Sequence, residues 1–258
     1  MTELNEVKRR NYRLASERKR AVRTLLLNMR LIRADLVRMF RSFEFMACAL
    51  ISFAFGLLNV LFCCIMKSPS YQPTFENDLF HMSAVVIVIS AVFTSLFFGT
   101  GNSVVRNKLM VGHTRGGIYC ASCAAAYLGV FIINALSMLP YFIIAPMLGA
   151  KIGELTPEEL MFNVLIEVLA ELAAGGVCFL ITVIFSRKSI CAACSLLAAF
   201  IILYIPELDG LARYSPAGQL DMLNSKMYTN APMVLYSLAL IIAVIVIGAV
   251  VFGRKDLK

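Results

Sequence analysis

The sequence predicts an all-α, polytopic membrane protein with six transmembrane helices, and three observations lead to that fold class. Of its 258 residues, 60% are apolar and 16% are charged, whereas a soluble domain has roughly 45–50% apolar and about 25% charged residues. The apolar residues form six long windows, and lysine and arginine alternate between the ends of those windows. A single soluble globule of this size has too little interior for so much apolar surface. The composition therefore excludes a soluble enzyme, and the sparse charge excludes a disordered chain.

The six apolar windows are each close to the length that crosses a bilayer. A hydrocarbon layer about 30 Å thick requires roughly 20 residues of helix. Helices are expected because a segment in lipid must satisfy its own backbone hydrogen bonds, and no window shows the alternation of barrel strands. The third window extends to Leu148 if the helix continues past Pro140. The predicted spans are Phe45–Met66, Leu79–Thr100, Ile118–Leu139, Leu160–Phe185, Ser189–Ile205 and Met233–Phe252.

The distribution of lysine and arginine predicts that both chain termini are cytoplasmic. Residues 1–44 contain 12 of these basic residues, the 101–117 loop contains three, Arg187–Lys188 contributes two, and the tail after Phe252 contains three. The alternate loops contain only four, together with most of the loop acids. Because cytoplasmic flanks retain lysine and arginine, this alternation supports six spans. The net charge of +8 is thus explained by topology, and no nucleic-acid partner is expected.

The chain divides into a cytoplasmic arm with an interfacial helix (1–44), a six-span domain (45–253) and a short cytoplasmic tail (254–258). Within the arm, Leu31–Phe43 has apolar residues at helical spacing on one side and arginines on the other. This pattern is typical of an amphipathic helix whose apolar face enters the lipid headgroup boundary. A basic anchor without a mechanical role is the alternative. The apolar side contains Ile32, Leu36, Met39, Phe40 and Phe43, and the basic side contains Arg30, Arg33, Arg38 and Arg41.

The loop Gly101–Gly117 is predicted to contain a second short cytoplasmic helix. It has a partial apolar face formed by Val104, Val105, Leu109 and Met110. Gly112 and the Gly116–Gly117 pair permit the chain to turn back into the third span. A helix docked beneath the membrane in this way is a natural contact for a soluble partner.

Two acidic residues inside the fourth window are the strongest functional signal that the residues provide. Glu167 and Glu171 are one helical turn apart on one face, and Asn163 extends that polar stripe. Placing each acid in the membrane costs at least ~2.5 kcal/mol, so such groups normally face a cavity, a partner or each other. Our hypothesis is that they line the transport path or a dimer seam with one carboxyl protonated. A structural pair held by hydrogen bonds from neighbours such as Asn134 is the equal alternative.

The cysteines predict no disulfide framework and no metal site. All eight lie inside predicted spans, where a thiol behaves as a small apolar group. The pairs Cys120/Cys123 and Cys191/Cys194 could form a four-thiolate zinc or redox site. Their alanine- and serine-rich surroundings favour helix packing instead. Enzyme motifs are also missing: there is no H-E-x-x-H, and His81 and His113 are predicted on opposite sides of the membrane.

Three stretches resemble a known family. Phe97–Thr100, followed by Arg106–Arg115 (Arg-Asn-Lys-Leu-Met-Val-Gly-His-Thr-Arg) and Ile118-Tyr119, resembles the "GT…IRNKLIxGHSRxxIY" segment of the permease subunits of type-2 ATP-binding-cassette (ABC) exporters. Ala34–Ser42 resembles the "DLxRxFRSKxF" stretch that opens the first span of those proteins, and Ser215–Gln219 is similar to their "NPxGQ". The six-span layout matches as well. The loop before Arg106 is about two residues shorter here than in the family segment.

The resemblance implies a dimeric bacterial plasma-membrane permease, homo- or heterodimeric, that exports a peptide, drug or lipid-like substrate. A separate ABC ATPase would bind ATP and Mg²⁺, and this chain would need no cofactor. The sequence agrees with that division, since it contains no G-x-x-x-x-G-K-[ST] phosphate loop. The implied elbow helix includes Ile32, Leu36, Arg38, Met39, Phe40 and Arg41. The implied ATPase coupling loop includes Val104, Val105, Arg106, Asn107, Lys108, Leu109, His113 and Arg115.

Two other function classes stay open from the sequence. A proton- or cation-coupled secondary transporter or channel would use Glu167 and Glu171 as its ion relay, although no internal repeat relates the two halves. A nontransporting membrane sensor or immunity subunit is the third class. The outer segment Pro206–Pro232 is predicted either to fold into short helices that cap an outward gate or to be a surface loop.

Overall fold

In a computed structural model, the described residues are 28–65, 83–99, 102–147, 157–185, 187–204, 214–224 and 231–255, and they form nine α-helices without a strand. The helices follow the apolar windows closely, because a long apolar segment satisfies all its backbone hydrogen bonds internally when it is helical. They are α1 (28–41), α2 (Phe43–Ile65), α3 (Ser83–Phe98), α4 (Asn102–Met110), α5 (Arg115–Met147), α6 (Pro157–Ile184), α7 (Lys188–Tyr204), α8 (Pro216–Asn224) and α9 (Ala231–Arg254).

Within the described ranges, four helices are long and apolar enough to cross a membrane. They are α2, α5, α6 and α9, with candidate spans Phe43–Phe62, Arg115–Ile144, Glu158–Ile184 and Pro232–Arg254. The helices in the second and fifth predicted windows are also apolar but shorter: α3 has 16 residues and α7 has 17. At 1.5 Å per residue, such helices are about 25 Å long, less than a full hydrocarbon layer. The first residues of the second window, 79–82, lie outside the described residues.

Helix α5 continues through both of its prolines. It runs from Arg115 to Met147 and contains Pro140 and Pro146, so the longer alternative for the third window is closer to the structure. A proline within a helix removes its own N–H donor and one backbone hydrogen bond. Apolar surroundings and packing against neighbouring helices let a membrane helix tolerate that loss.

Helix α6 is the centre of the bundle and packs against α3, α5, α7, α8 and α9. Its buried side consists largely of small residues, which lets neighbouring backbones approach closely. A Cβ on Gly175 would lie 2.8 Å from Val130 of α5, and one on Gly176 would overlap the Tyr127 hydroxyl. Helices α5 and α6 are antiparallel, as the contacts of Tyr119 with Phe179 near one end also indicate.

Helix α2 also packs closely along α5. The Ser52 hydroxyl donates to the Ile133 carbonyl at 2.8 Å, and a Cβ on Gly56 would overlap the Ser137 carbonyl oxygen. The opposite side of α2 is exposed and apolar, with Leu50, Leu58 and Phe62 each more than half accessible. An apolar exposed side of this kind is suited to contact with lipid.

The junction between α1 and α2 is a single residue. The predicted interfacial helix ran from Leu31 to Phe43, whereas α1 ends at residue 41 and Ser42 starts a new helix. The Ser42 hydroxyl donates to the Met39 carbonyl at 2.8 Å and accepts from the Phe45 backbone N–H at 3.3 Å. This serine is thus the N-cap of α2, a position that serine favours.

The apolar face predicted for α1 is divided between protein and exterior. Met39 is fully buried against the bundle, and Leu31 and Asp35, which lie on the same side of α1, are also buried. Phe40 and Phe43 are exposed, at 48% and 83%. Helical spacing indicates that one side of a helix is apolar, but it does not indicate what covers that side. In this structure the bundle covers half of the apolar side of α1.

The predicted outer segment Pro206–Pro232 contains a helix whose first residues, 216–220, are buried. The Ser215 hydroxyl accepts from the Gly218 N–H at 3.0 Å and caps α8. Gln219 and Leu220 are buried, and the Ser237 hydroxyl of α9 donates to the Gln219 side-chain oxygen at 2.6 Å. Of the two predictions, the short helix agrees with the structure for Pro216–Asn224. Residues 205–213 and 225–230 lie outside the described residues.

Candidate functional site

Of the basic residues predicted on one side of the membrane, those that the structure describes gather at one end of the bundle. The ends of α3, α6 and α9 and the starts of α5 and α7 meet there, next to α1 and α4. Carbonyl groups at helix C-termini lack intrahelical partners and carry a partial negative charge. At this end, lysine and arginine side chains supply the missing donors.

Helix α4 is the short helix predicted in the 101–117 loop. Its C-terminus closes with the Gly112 N–H donating to the Leu109 carbonyl at 2.9 Å and the His113 N–H donating to the Lys108 carbonyl at 3.2 Å. These two bonds form a Schellman motif, which requires a left-handed residue, and Gly112 has φ 95°. Gly112 alone makes the turn, because Gly116 and Gly117 already lie in α5.

An ion pair joins α4 to α1. Lys108 Nζ lies 2.6 and 2.7 Å from the two carboxylate oxygens of Asp35. The Asp35 side chain is 5% exposed and that of Lys108 is 17% exposed, so water competes little for either group. A charged hydrogen bond in such surroundings is stronger than one at the surface. Asp35 belongs to the quoted Ala34–Ser42 stretch but was not among the predicted site residues.

Arg38 joins α1 to the end of α3. Its Nη2 donates to the Phe97 carbonyl at 3.1 Å, and its guanidinium carbon lies 4.6 Å from the centre of the Phe97 ring. The arginine thus satisfies a C-terminal carbonyl of α3 and makes a cation–π contact with the same residue. Two attachments, at Asp35 and Arg38, hold α1 against the bundle.

Arg115 and Lys255 connect the start of α5 with the ends of α9 and α6. Arg115 Nη1 donates to the Gly253 and Lys255 carbonyls at 2.9 and 3.1 Å. Lys255 Nζ donates to the Val183 carbonyl at 2.7 Å and to the Phe185 carbonyl at 3.3 Å. Partial burial lowers the pKa of Lys255, and the nearby Cys191 opposes that shift.

The eight residues predicted for the coupling loop do not share one role. Val105 and Leu109 pack inward against the buried cluster around Ile118 and Tyr119, while Arg106 and Asn107 are exposed. Val104 and His113 are partly buried, Lys108 binds Asp35, and Arg115 binds the end of α9. Met110 and Val111 were not on the predicted list, yet they are 70% and 78% exposed beside Arg106. The sequence shows that these two residues are apolar, but only the structure shows that they are exposed.

The acidic pair of the fourth window lies inside the bundle. Glu167 is 2% exposed, Glu171 is 1% exposed and Asn163 is 8% exposed. The Ser83 hydroxyl donates to Glu167 Oε1 at 3.0 Å. Among the described residues, Glu167 Oε2 and both Glu171 oxygens have no hydrogen-bond partner. The sequence did not identify Ser83, because it lies 84 positions from Glu167.

Asn134 is part of the same buried seam but bonds to neither acid. Both polar atoms of its side chain lack a partner among the described residues. Because α5 and α6 are antiparallel and Val130 is opposite Gly175, one helical turn further places Asn134 at the level of Glu171. The hydrogen bond from Asn134 to the acids, which the sequence suggested as an alternative, is therefore absent from the described residues, although Asn134 lies at the level of Glu171.

The paired cysteines differ in environment. Cys123 and Cys191 are buried, whereas Cys120 is exposed and Cys194 is intermediate. Within the part of the chain that the structure describes, no group of three or more metal-binding side chains comes together. Cys178 and Ser195 instead exchange contacts with each other's backbone between α6 and α7.

Comparison with models of known protein families and with curated proteins gives no match to this sequence.

Proposed function

We propose that this chain is the membrane-spanning permease subunit of an ABC exporter and that a separate ATPase subunit drives it. Two such permease chains, identical or different, would form the translocation path for a peptide, drug or lipid-like substrate. ATP and Mg²⁺ would bind to the ATPase. The proposal rests on the quoted resemblance and on the way α4 is mounted at the basic end of the bundle.

The observation that carries the proposal is the two-sided character of α4. Its inner side is held by the Val105 and Leu109 contacts and by the Asp35–Lys108 pair. Its outer side presents Arg106, Asn107 and Met110 to the exterior. A short helix that is rigidly held from within and free on its outer side is suited to receive a push from a soluble subunit.

The contacts suggest a route for that push. A displacement of α4 acts on α1 through Lys108 and Asp35, because a short, buried ion pair resists stretching. Helix α1 then acts on the end of α3 through Arg38 and on α2 through the single residue Ser42. Since α2 packs on α5, the displacement reaches the centre of the bundle.

The proposal places the protein in a bacterial plasma membrane with both termini in the cytoplasm and with α3 and α7 completing six spans. The alternation of lysine and arginine along the sequence supports this topology. Cysteine labelling of each terminus in intact and permeabilised cells tests it. Labelling of either terminus from outside intact cells would overturn the topology.

Co-purification of the ATPase is the main test. The tagged chain, purified from the membranes of its own host, should retain an ABC ATPase through purification and hydrolyse ATP. Met110→Glu combined with Arg106→Glu should abolish retention, because both residues lie on the outer side of α4. Arg187→Glu, the same arginine-to-glutamate reversal at another exposed residue of that end, should not. Retention by all three proteins, or by none, contradicts the proposed contact.

A coupled secondary transporter is the second candidate, and the buried acids favour it. Partnerless carboxyl oxygens of Glu167 and Glu171 inside a membrane bundle are typical of ion or proton pathways. Reconstitution separates the two functions. Transport by the chain alone in liposomes, driven by an ion gradient, supports this second candidate and removes the first.

A further inference from the structure

A shallow, open depression on the outer side of α1, called the groove below, has a strongly basic lining. Arg30, Ala34, Val37 and Arg41 follow one another at helical spacing, and Arg33 and Arg38 flank this stripe. None of the described residues that line the groove is acidic. The lining residues are Arg30, Arg33, Ala34, Val37, Arg38 and Arg41.

The arginines of the groove are not neutralised by the acids nearest to them in sequence. Asp35 is turned into the bundle and binds Lys108 at 2.6 Å. Glu44 Oε1 lies 3.6 Å from Lys188 Nζ, so this acid pairs with a lysine outside the groove. Within the described part of the chain, the basic charge of the groove is therefore not neutralised and is available to an anion.

One guanidinium of the groove is held in place before any ligand arrives. Arg38 bonds to the Phe97 carbonyl through Nη2 alone and rests against the Phe97 ring, which leaves its other N–H groups free to donate. Guanidinium groups bind phosphate through paired hydrogen bonds, and a fixed side chain loses less freedom on binding. The site is thus partly organised in advance.

An apolar surface adjoins the groove. Val37 lines it and is 45% exposed, and Phe40 is exposed at the next turn. Directly after α1, the candidate span α2 begins with exposed Phe43 and continues with exposed Met46. An acidic protein surface or free phosphate could bind the arginines, but either would leave these apolar side chains uncovered. A molecule with both a phosphate and acyl chains would cover both parts.

We propose that this groove on α1 binds the headgroup phosphate of an anionic phospholipid, whose acyl chains lie against the start of α2. Because α1 is attached to α4 and to α3, a lipid bound here fixes the helix on which both attachments depend. The inference requires membrane embedding only, and it holds whichever energy source drives the protein.

Thermal unfolding of the purified chain in a neutral detergent tests the proposal. Phosphatidylglycerol should raise the unfolding temperature to a saturating limit, while phosphatidylcholine and inorganic phosphate should not. In the triple variant Arg30→Gln/Arg33→Gln/Arg41→Gln, the phosphatidylglycerol concentration that gives half of the maximal rise in unfolding temperature should increase by about tenfold or more. Arg38 is kept because it also holds α3. Arg187→Gln/Arg254→Gln, with two exposed arginines removed from the same end, should respond like the original protein.

Several outcomes would overturn the proposal. They are an equal shift with phosphatidylcholine, an equal shift with inorganic phosphate, or an equal loss in the Arg187/Arg254 control. Loss of ATPase binding in the triple variant with an unchanged phosphatidylglycerol response would assign the groove to the protein partner instead. If the triple variant fails to fold, Arg33→Gln and Arg41→Gln are measured singly by lipid retention in native mass spectrometry. Retention equal to that of the control then overturns the proposal as well.

Discussion

Lys108 Nζ of α4 lies 2.6 and 2.7 Å from the two carboxylate oxygens of Asp35 on α1, and both side chains are largely withdrawn from water. Their sequence positions are 73 residues apart. This pair joins the helix predicted to meet a soluble subunit to the helix that leads into the first span.

Removing the lysine of this pair should destabilise the protein. Lys108→Met leaves the Asp35 carboxylate buried without its cation, which is expected to lower the free energy of unfolding by about 1–3 kcal/mol. Lys188→Met is the matched control, since its pair with Glu44 is longer and more exposed, and it should cost less than about 0.5 kcal/mol. Denaturant unfolding in detergent measures both. Equal losses would mean that the buried pair has no special strength.

The turn after α4 should depend on glycine at one position only. Gly112 has φ 95° and no neighbour within 4 Å of an added Cβ, so Gly112→Ala changes backbone strain alone and should cost about 1–2 kcal/mol. Gly116 also has open space around it but lies in the first turn of α5. Gly116→Ala should therefore be neutral or slightly stabilising. Thermal unfolding of the two variants compares them, and a similar loss in both would contradict the turn geometry.

Close packing of α2 on α5 should make Gly56 intolerant of alanine. A Cβ there would overlap a backbone carbonyl, that of Ser137, and backbone cannot move aside as a flexible side chain can. Gly56→Ala is expected to lower the free energy of unfolding by about 1–3 kcal/mol. Gly253→Ala meets nothing within 4 Å and should have little effect. The prediction fails if the two substitutions lower the unfolding temperature equally.

The buried acids should contribute more to transport than to stability. Glu171 has two partnerless carboxyl oxygens, so Glu171→Gln removes a potential charge without breaking a hydrogen bond between described residues. It should insert normally and unfold no earlier than the original protein, while transport falls about tenfold or more if the pair lines the path. Glu167→Gln should lower transport similarly but should not raise stability, because Ser83 bonds to Glu167. Glu158→Gln, at an exposed position of α6, is the control. Unchanged transport in both buried variants removes the functional role.

Helix positions were largely predictable because they depend on local composition. The fourth window, Leu160–Phe185, differs from α6 by three residues at its start and one at its end. The helix in the 101–117 loop and the turn at Gly112 were also recovered, since a partial apolar face and a glycine are local signals. The break at Ser42 was not, because the helical spacing of apolar residues continues across it and only the serine's hydrogen bonds reveal the cap.

The partners of the polar residues were much less predictable. Asn134 was considered as a donor to the acids, but the structure assigns that role to Ser83 and leaves Asn134 at the level of Glu171 without a bond. Likewise, those residues of the predicted coupling loop that lie on α4 divide into an inner and an outer side, and Met110 joins the outer side. Sequence spacing gives the relative direction of two side chains on one helix, but it does not say which neighbouring helix each one meets.

By itself, the sequence determined that this protein is helical and apolar, where most helices begin and end, and on which face of the fourth window the acids lie. These properties follow from interactions between residues that are close along the chain. Only the tertiary structure decided that Asp35 binds Lys108, that Met39 is inside while Phe40 is outside, and that the acids are enclosed by α3, α5 and α6. The physical reason is that burial and pairing depend on which helices come into contact, and those contacts join residues that are far apart in sequence.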